Sequence, residues 1–464
     1  MSEEMKALRE QLLRNDKNGY DTLGEAQLRE MEAYCADYKA FLDAGKTERL
    51  SARAAIAAAE AKGFVQYKRG MALKAGDKVY TCNRGKGLML AVIGKESLAE
   101  GAQIAAAHID SPRLDLKPTP LYEDSEMAYF KTHYYGGIRK YQWVTIPLQL
   151  RGVVAKKDGS VVDVCIGGAG EPQLVITDLL PHLGGEQGRK PLNEAVPGET
   201  LNLLVGSRPI GDSEDKDRVK LHVMKRLHDK YGITESDFAS AELEAVPAAE
   251  AVDIGIDGSM IGSYGHDDRV CGYAALRALL DIETPDKTAV CVLADKEEIG
   301  SMGVTGMQSA AFDAFMSDLC DGQNVPLKAC FENAFCLSAD VTAAYDPNFA
   351  DVYEKKNAAF VNYGVGICKY TGARGKSGSS DANAETVAYV RAVLDGAGVR
   401  WQICELGKID AGGGGTVAQY MANRNIATLD AGVPVLSMHA PFEVVAKVDC
   451  YEMYRACKAL YEAR

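Results

Sequence analysis

The sequence predicts an α/β protein in which a mostly parallel sheet is flanked by helices and interrupted by a β-rich insertion. Two observations favour this fold class. After residue 254, apolar strand-like runs alternate with helix-like segments, as in sheets wrapped by helices. In the middle of the chain, short segments alternate with period two between Gly and Pro, as in β-rich domains. We therefore expect one domain of residues 1–112 and 253–464, and an inserted β-rich domain of residues 113–252.

The first sixty residues are expected to be helical. Five apolar residues recur at steps of three and four, which places them on one helix face: Leu28, Met31, Cys35, Tyr38 and Leu42. An alanine-rich stretch at 52–61 extends this helical region until Gly63 ends it. Strands are then expected at 78–82 and 87–93, followed by an apolar strand that ends at His108.

The insertion is expected to be mostly strand. Its predicted strands are 141–150, 152–155, 161–166 and 201–205. One helix stands out within it, at 217–231, and Gly232 closes that helix.

The C-terminal part alternates between the two element types. Its predicted strands are 289–293, 335–339, 401–406 and 433–438, and its predicted helices are 270–280, 382–394 and 448–463. The strand at 433–438 runs into His439, although Pro434 argues against a central position in a sheet.

Residues with the chemistry of metal ligands follow several predicted strands. They are His108, Glu297, Glu298, Asp340 and His439. An acidic pair, Asp267-Asp268, precedes a predicted helix. Open α/β sheets bind ligands beyond the carboxyl ends of their strands. Imidazoles and carboxylates at one such edge suit two divalent ions, with zinc favoured and cobalt or manganese as alternatives. One carboxylate of the Asp pair is the candidate bridge between the ions.

Two adjacent glutamates, Glu297 and Glu298, follow the apolar strand 289–293. Like charges this close raise each other's pKa, and burial raises both further. A bound metal relieves one carboxylate and leaves the other free to handle a proton. We interpret Glu298 as a metal ligand and Glu297 as a general base. For an isolated Glu-Glu pair a solvated loop is the commoner explanation, and the other strand-end residues are what argue against it here.

Composition excludes several classes of partner. The chain has 464 residues, 47% hydrophobic and 25% charged, which is typical of globular proteins. Its formal net charge of −13 argues against nucleic acid or an anionic membrane as partner. No apolar run approaches a membrane span, and residues 1–6 lack the features of a signal peptide. The 12 cysteines are scattered, without Cys-x-x-Cys spacing, so we expect a cytoplasmic protein with reduced thiols.

Five short motifs occur together in a recognisable order and spacing. They are Ala106-Ala107-His108-Ile109-Asp110-Ser111-Pro112, Asp267-Asp268, Asp295-Lys296-Glu297-Glu298-Ile299-Gly300, Ser338-Ala339-Asp340 and Met438-His439. On these motifs the chain resembles the aspartyl aminopeptidase family of cocatalytic dizinc exopeptidases along nearly its whole length. The resemblance implies a dizinc exopeptidase-like fold and a metal-dependent aminopeptidase that removes N-terminal residues, acidic ones among the candidates, from peptides.

The resemblance also implies roles for individual residues. The implied metal ligands are His108, Asp267, Glu298, Asp340 and His439, with Asp267 as the bridge. Asp267 is preferred over Asp268 because the family's motif is Asp-Asn and its Asp aligns with the first of the pair. Glu297 is implied as general base, and Asp110 is expected to orient His108. In the family the inserted domain mediates dimerisation, and members assemble into homo-oligomers up to dodecamers.

The sequence departs from the family where substrate is expected. Ala343 and Asp346 stand where the family has histidines, and Tyr141 replaces a histidine two residues before Trp143. The segment Gly412–Gly415 is richer in glycine than the family's. These departures leave the preferred N-terminal residue open. Three basic residues are candidates for binding an acidic substrate, with a solvated loop as the alternative: Lys369, Arg374 and Lys376.

Two other functions are compatible with parts of the sequence. The run Ala411-Gly412-Gly413-Gly414-Gly415-Thr416 before a possible helix suggests a nucleotide-binding protein, since helix N-termini bind phosphate. Its spacing matches neither Gly-x-Gly-x-x-Gly nor a P-loop. A catalytically inactive assembled scaffold is the second alternative, prompted by the missing family histidines.

Overall fold

The computed structural model describes residues 2–14 and 16–464, so that Met1 and Asn15, both within the predicted helical region, lie outside the described residues. The helices are α1 Glu3–Leu12, α2 Glu25–Ala44, α3 Glu48–Ala61, α4 Leu192–Ala195, α5 Arg218–Tyr231, α6 His266–Leu280, α7 Ala311–Asp321, α8 Leu327–Asn333, α9 Ala384–Gly396, α10 Ala418–Ala422 and α11 Lys447–Glu462. The strands are β1 Val65–Gln66, β2 Lys78–Asn83, β3 Gly87–Val92, β4 Ala102–His108, β5 Arg113–Asp124, β6 Met127–Tyr135, β7 Leu148–Ala155, β8 Val161–Ile166, β9 Leu203–Gly206, β10 Ala241–Pro247, β11 Val252–Ile254, β12 Met260–Ser263, β13 Thr288–Ala294, β14 Phe335–Ser338, β15 Thr342–Ala343, β16 Val365–Cys368, β17 Trp401–Ile403, β18 Ala427–Gly432, β19 Pro434–Leu436 and β20 Glu443–Ala446.

A nine-stranded sheet forms the centre of the fold, in the order β1-β2-β3-β13-β4-β14-β18-β16-β17. Its four central strands, β13, β4, β14 and β18, are parallel to one another. Every residue of β4 and of β13 is buried. Strands buried on both faces read as continuous apolar runs, which is why the sequence reveals them.

Helices cover both faces of this sheet. Along β4, Ala105 and Ala107 pack with α2, α3, α6, α9 and α11 on one face. The alternate residues Ile104 and Ala106 pack with α7, α8 and α10 on the other. This alternation is the period-two geometry of a strand between two apolar layers. The predicted α/β class, with a mostly parallel sheet flanked by helices, is confirmed.

A six-stranded antiparallel sheet lies between β4 and β12 in the sequence, in the order β8-β7-β10-β5-β6-β9. Its core includes the fully buried Trp143 and packs against α5. The predicted strand 141–150 is wrong over its first seven residues. Residues 140–142 form a 3₁₀ turn and β7 begins only at Leu148, one residue after Pro147.

A small third sheet, in the order β11-β12-β20-β19-β15, lies beside the carboxyl edge of the main sheet. The predicted strand 433–438 is therefore not a strand of the main sheet. The central strand there is β18, which ends at Gly432, and β19 belongs to the small sheet. The chain changes sheets after Gly432, where only glycine fits because a Cβ would lie 1.7 Å from the carbonyl oxygen of Asp340.

Two expectations from composition can be compared with the structure. Within residues 2–14 and 16–464, no helix is both long enough and apolar enough to cross a membrane. All 12 cysteines are free thiols and ten of them are buried. Buried thiols of this kind behave as small apolar side chains.

Candidate metal centre

Four of the predicted site residues lie beyond the carboxyl ends of the central parallel strands. His108 is the last residue of β4 and pairs in register with Ala294, the last residue of β13. Glu297 and Glu298 follow Ala294 in a short 3₁₀ turn. Asp340 follows the end of β14, which is β4's other neighbour. Because these strands end at one edge of the sheet, their following residues converge.

The small sheet brings in the other two residues. Asp267 lies in the first turn of α6, just after β12, and His439 lies in the loop between β19 and β20. Strand β20 pairs with both β12 and β19, so the two loops are neighbours. His439 has a φ of 65°, in the left-handed region that few non-glycine residues adopt. Such conformations cluster at functional sites.

The carboxylate of Asp267 lies between two histidines. Its Oδ1 is 3.2 Å from Nε2 of His108, and its Oδ2 is 3.1 Å from Nε2 of His439. Asp340 Oδ1 lies 4.0 Å from the same nitrogen of His108, and Glu298 Oε2 lies 3.5 Å from that of His439. The result is two groups of three donors that share Asp267, and within each group the donor atoms lie within 4.8 Å of one another.

These side chains fit a pair of divalent ions. Each group offers one imidazole and two carboxylates, a donor set that zinc accepts. Oε1 of Glu298 is buried and has no hydrogen-bond partner among the described residues, as expected of an atom kept for an ion. Burial disfavours a charged His439, yet the hydrogen bond to Asp267 and the charge of Glu298 raise its pKa to about 10. The cluster therefore attracts positive charge strongly.

Asp268 has a different environment from Asp267. Its Oδ2 accepts the backbone N–H of His108 at 3.3 Å, and it belongs to neither donor group. Burial, followed by the charge of Asp267, raises the pKa of Asp268 well above its ordinary value. The peptide bond that joins the two residues is cis. The geometry thus favours Asp267 as the shared residue.

Glu297 lies beside the donor groups without belonging to either. Its Oε2 is 3.9 Å from Nε2 of His108, and 17% of its side chain is exposed. Burial raises the pKa of Glu297 to about 7, and the carboxylates of Asp110 and Asp267 add to the rise. A carboxyl group with a pKa near neutrality is suited to accept and return a proton.

Asp110 accepts hydrogen bonds from several of these residues. Its backbone carbonyl accepts Nδ1–H of His108 at 3.0 Å. Its carboxylate accepts the backbone N–H groups of Glu297 at 3.2 Å and Glu298 at 3.3 Å. The fully buried Asp110 therefore orients a metal-ligand candidate and the glutamate pair at once.

Comparison with known proteins decides the family. Residues 41–461 match the family model described as "Aminopeptidase I zinc metalloprotease (M18)". The chain belongs to the M18 family. It is therefore a zinc metalloprotease of the aminopeptidase class, and neither a nucleotide-binding protein nor an inactive scaffold is favoured.

Relatives match the M18 chain over nearly its full length. A "Probable M18 family aminopeptidase 1" of Clostridium acetobutylicum is 48% identical over 450 residues, covering 95% of this chain and 97% of the relative. The crystal structure of aminopeptidase I from that organism has a TM-score of 0.91 at 45% identity, covering 97% of this chain and 100% of the other. That of an M18 aminopeptidase from Thermotoga maritima has a TM-score of 0.93 at 42% identity, covering 97% and 99%.

One residue of the centre, Glu443, is absent from the set predicted from sequence. Its Oε2 accepts the backbone N–H of Asp267 at 3.0 Å, and its Oε1 accepts that of His439 at 2.6 Å. Glu443 is fully buried and therefore fixes both loops that the small sheet delivers. A charged residue at the head of an apolar strand, Glu443-Val444-Val445, is the signal that would have identified it.

The remaining histidines have other environments. His266 is buried, with its nitrogens bonded to the Tyr38 hydroxyl at 2.8 Å and the Ile261 carbonyl at 3.1 Å. The other four histidines belong to neither donor group of the centre: His133, His182, His222 and His228.

Two of the three candidate substrate-binding cations are paired with the same acidic residue. Lys369 and Lys376 both bind Asp381, at 2.7 Å and 2.9 Å. The glycine-rich loop packs tightly instead of opening toward a phosphate. A Cβ on Gly412 would lie 1.8 Å from the Leu406 carbonyl oxygen. The helix after this loop, α10, has only five residues.

Proposed function

We propose that this M18 aminopeptidase removes N-terminal residues from peptides at two divalent ions that Asp267 bridges. Asp267 would hold one ion together with His108 and Asp340, and the other together with Glu298 and His439. The observation that carries the proposal is the position of Asp267, whose two oxygens each face a different histidine at about the same distance, 3.2 Å and 3.1 Å. A carboxylate held in this way is suited to bridge two ions.

The roles of the protein groups follow from their positions. Two bound divalent ions, with zinc the first candidate and cobalt or manganese the alternatives, would lower the pKa of a water molecule and polarise the scissile carbonyl. Glu297 accepts a proton from the attacking water as its oxygen adds to the carbonyl carbon. Glu297 then delivers this proton to the leaving nitrogen as the C–N bond breaks. Its partial exposure lets water and substrate reach the carboxylate.

Asp110 serves the reaction without touching substrate. Its hydrogen bonds hold His108 with Nε2 directed at the ion site and hold the backbone of Glu297 in place. A ligand and a general base oriented by one buried carboxylate keep a constant separation, which proton transfer requires.

A panel of aminoacyl arylamides tests the reaction and its metal requirement. Treatment with a chelator should abolish arylamine release, and Zn²⁺, Co²⁺ or Mn²⁺ should restore it as metal content approaches two ions per chain. N-acetylated substrates serve as the control, since an aminopeptidase requires a free amine. Full activity with one ion per chain would refute the bridged pair, and cleavage of N-acetylated substrates would refute aminopeptidase action. Aspartyl, leucyl and lysyl substrates in the panel would identify the preferred residue.

The inserted domain, residues 113–252, is proposed to mediate dimerisation within a cytoplasmic homo-oligomer, up to a dodecamer. An apolar groove of about 750 Å³ between α5 and β9 supports this role, with Leu204, Val205 and Val223 in its lining. A surface of this kind is typical of protein interfaces. Sedimentation velocity on the full chain tests assembly, and a purely monomeric enzyme would contradict it.

A further inference from the structure

The first strand pair of the insertion ends against the metal centre. Strand β6 finishes at Tyr135, whose hydroxyl donates a hydrogen bond to Oδ2 of Asp110 at 2.8 Å. Tyr135 is buried, with 8% of its surface exposed. A residue of the inserted sheet therefore binds the carboxylate that orients His108 and Glu297.

Tyr135 has the shortest of the contacts that hold the Asp110 carboxylate. Oδ1 receives the N–H of Glu297 at 3.2 Å and lies 3.3 Å from Nδ1 of His108. Oδ2 receives the N–H of Glu298 at 3.3 Å and the hydroxyl of Tyr135 at 2.8 Å. Without the hydroxyl, Oδ2 would keep only the longer of its two bonds, so the last torsion of the Asp110 side chain would be held less firmly.

The ring of Tyr135 is itself held in place. Its face lies 3.8 Å from the guanidinium carbon of Arg113, its partner in the β5–β6 register. Arg113 is in turn paired with Glu244 at 3.4 Å and with Glu48 at 3.5 Å, both buried. Arg113 also donates to Asp115 at 2.8 Å, so the cation stacked on the ring is fixed by three carboxylates and limits the movement of the ring and its hydroxyl.

The two glycines after Tyr135 also lie against residues of the metal centre. The carbonyl of Gly137 accepts Nδ1–H of His439 at 2.8 Å, which leaves Nε2 of His439 directed at Asp267. Gly136 has a φ of 74°, and a Cβ on it would lie 3.2 Å from Oε2 of Glu298. The end of β6 thus approaches the centre at three points.

We propose that Tyr135 is a positioning residue for catalysis, acting through Asp110 on the orientation of Glu297. The inference rests on the proposed role of Glu297 as general base. A tyrosine that only joined the inserted sheet to the catalytic part would affect folding and leave turnover of the folded enzyme unchanged.

The Tyr135→Phe variant tests this role because it removes the hydroxyl and keeps the ring over Arg113. We expect kcat to fall about tenfold, the lower end of what the loss of an orienting group costs a metal site. KM, the thermal midpoint and the metal content of the reconstituted enzyme should stay near wild type. Tyr134→Phe is the matched control, since Tyr134 is the preceding residue of the same strand and 44% exposed. It should keep wild-type kcat.

A double-mutant cycle with Asp110→Asn separates positioning from general destabilisation. If Tyr135 acts through Asp110, the two losses of kcat combine to less than their product, because either change alone frees the same group. Fully multiplicative losses, a Tyr135→Phe kcat within twofold of wild type, or an equal loss in Tyr134→Phe would each overturn the proposal. If Glu297→Gln also keeps its activity, the proposed function has failed. If Glu297→Gln is inactive and Tyr135→Phe is normal, only the inference about Tyr135 has failed.

Discussion

Replacement of Glu297 by glutamine is the most direct test of the mechanism. The change conserves size and keeps the backbone N–H bond to Asp110, but an amide cannot accept the proton of an attacking water. A positioned general base contributes roughly 10²–10⁴-fold to a rate. We expect a loss of kcat near 10³-fold, which corresponds to about 4 kcal/mol of transition-state stabilisation.

The structure predicts that this loss occurs without loss of metal. Glu297 belongs to neither donor group, and its Oε2 lies 3.9 Å from Nε2 of His108. KM should therefore change by less than about threefold, since binding energy common to substrate and transition state is retained. Steady-state arylamine release, measured beside the metal content of the same preparation, gives both quantities. Glu283→Gln is the control, because that side chain is 88% exposed.

Glu298→Gln provides the contrasting result. Its side chain is 3% exposed, lies 3.5 Å from His439 and has one oxygen with no hydrogen-bond partner in the part of the chain that the structure describes. We expect this variant to lose metal as well as activity. If Glu297→Gln retains kcat within tenfold of wild type while fully loaded with metal, Glu297 is not the base. If its activity falls only because metal is lost, it is a ligand instead.

Three further predictions concern the acidic pair, a buried aspartate beside β14 and a glycine of the inserted sheet. Asp267→Asn should reduce the metal content below one ion per chain, whereas Asp268→Asn should keep it near two; equal losses in elemental analysis would contradict the assigned bridge. Burial raises the pKa of Asp430 from 3.8 to about 6, so ionising it costs stability that grows as pH rises from about 4 and levels off above about 6. The free energy of unfolding of Asp430→Asn, measured in urea, should therefore rise by about 1 kcal/mol relative to that of the wild type between pH 5 and pH 7. A difference between the two proteins that does not change with pH would refute the pKa shift. Gly152→Ala should cost more than about 2 kcal/mol, because φ is 138° and the new Cβ would lie 1.9 Å from the Glu242 carbonyl oxygen; an unchanged thermal midpoint would exclude that collision.

The half of the centre that lies on the main sheet can be predicted from local sequence. Residues 104–107 and 289–293 are continuous apolar runs, and each is followed within a few residues by His108 or by Glu297. Parallel pairing then places these side chains at one edge without further information. The rule that adjacent buried carboxylates oppose each other's charge suggests that one glutamate binds metal and the other handles a proton, but it does not say which. The assignment of Glu298 as ligand and Glu297 as base stays a prediction.

The other half depends on pairings that no local pattern reveals. The small sheet that delivers Asp267 and His439 is built from strands of two to four residues, too short to show a period. Strand β5 was not predicted from the sequence, for a different reason. Pro118 and Pro120 lie within it, and the register with β6 shifts between Leu116 and Leu121. Proline is confined to edges and bulges of sheets, so a bulge admits residues that otherwise argue against a strand.

The position of the insertion explains why it contacts the centre. It leaves the main sheet directly after Pro112 and returns through β12 to Asp267, so both of its ends adjoin site residues. A buried ionic group joins the same regions, with Glu48 from α3, Arg113 from β5 and Glu244 from β10. Deleting the inserted sheet would leave Glu48 with Lys86, at 3.2 Å, as its remaining cationic partner and would leave Asp110 without the hydroxyl of Tyr135. Because buried charges are destabilising when they lose a partner, we expect the catalytic part to be less stable and less active without the insertion.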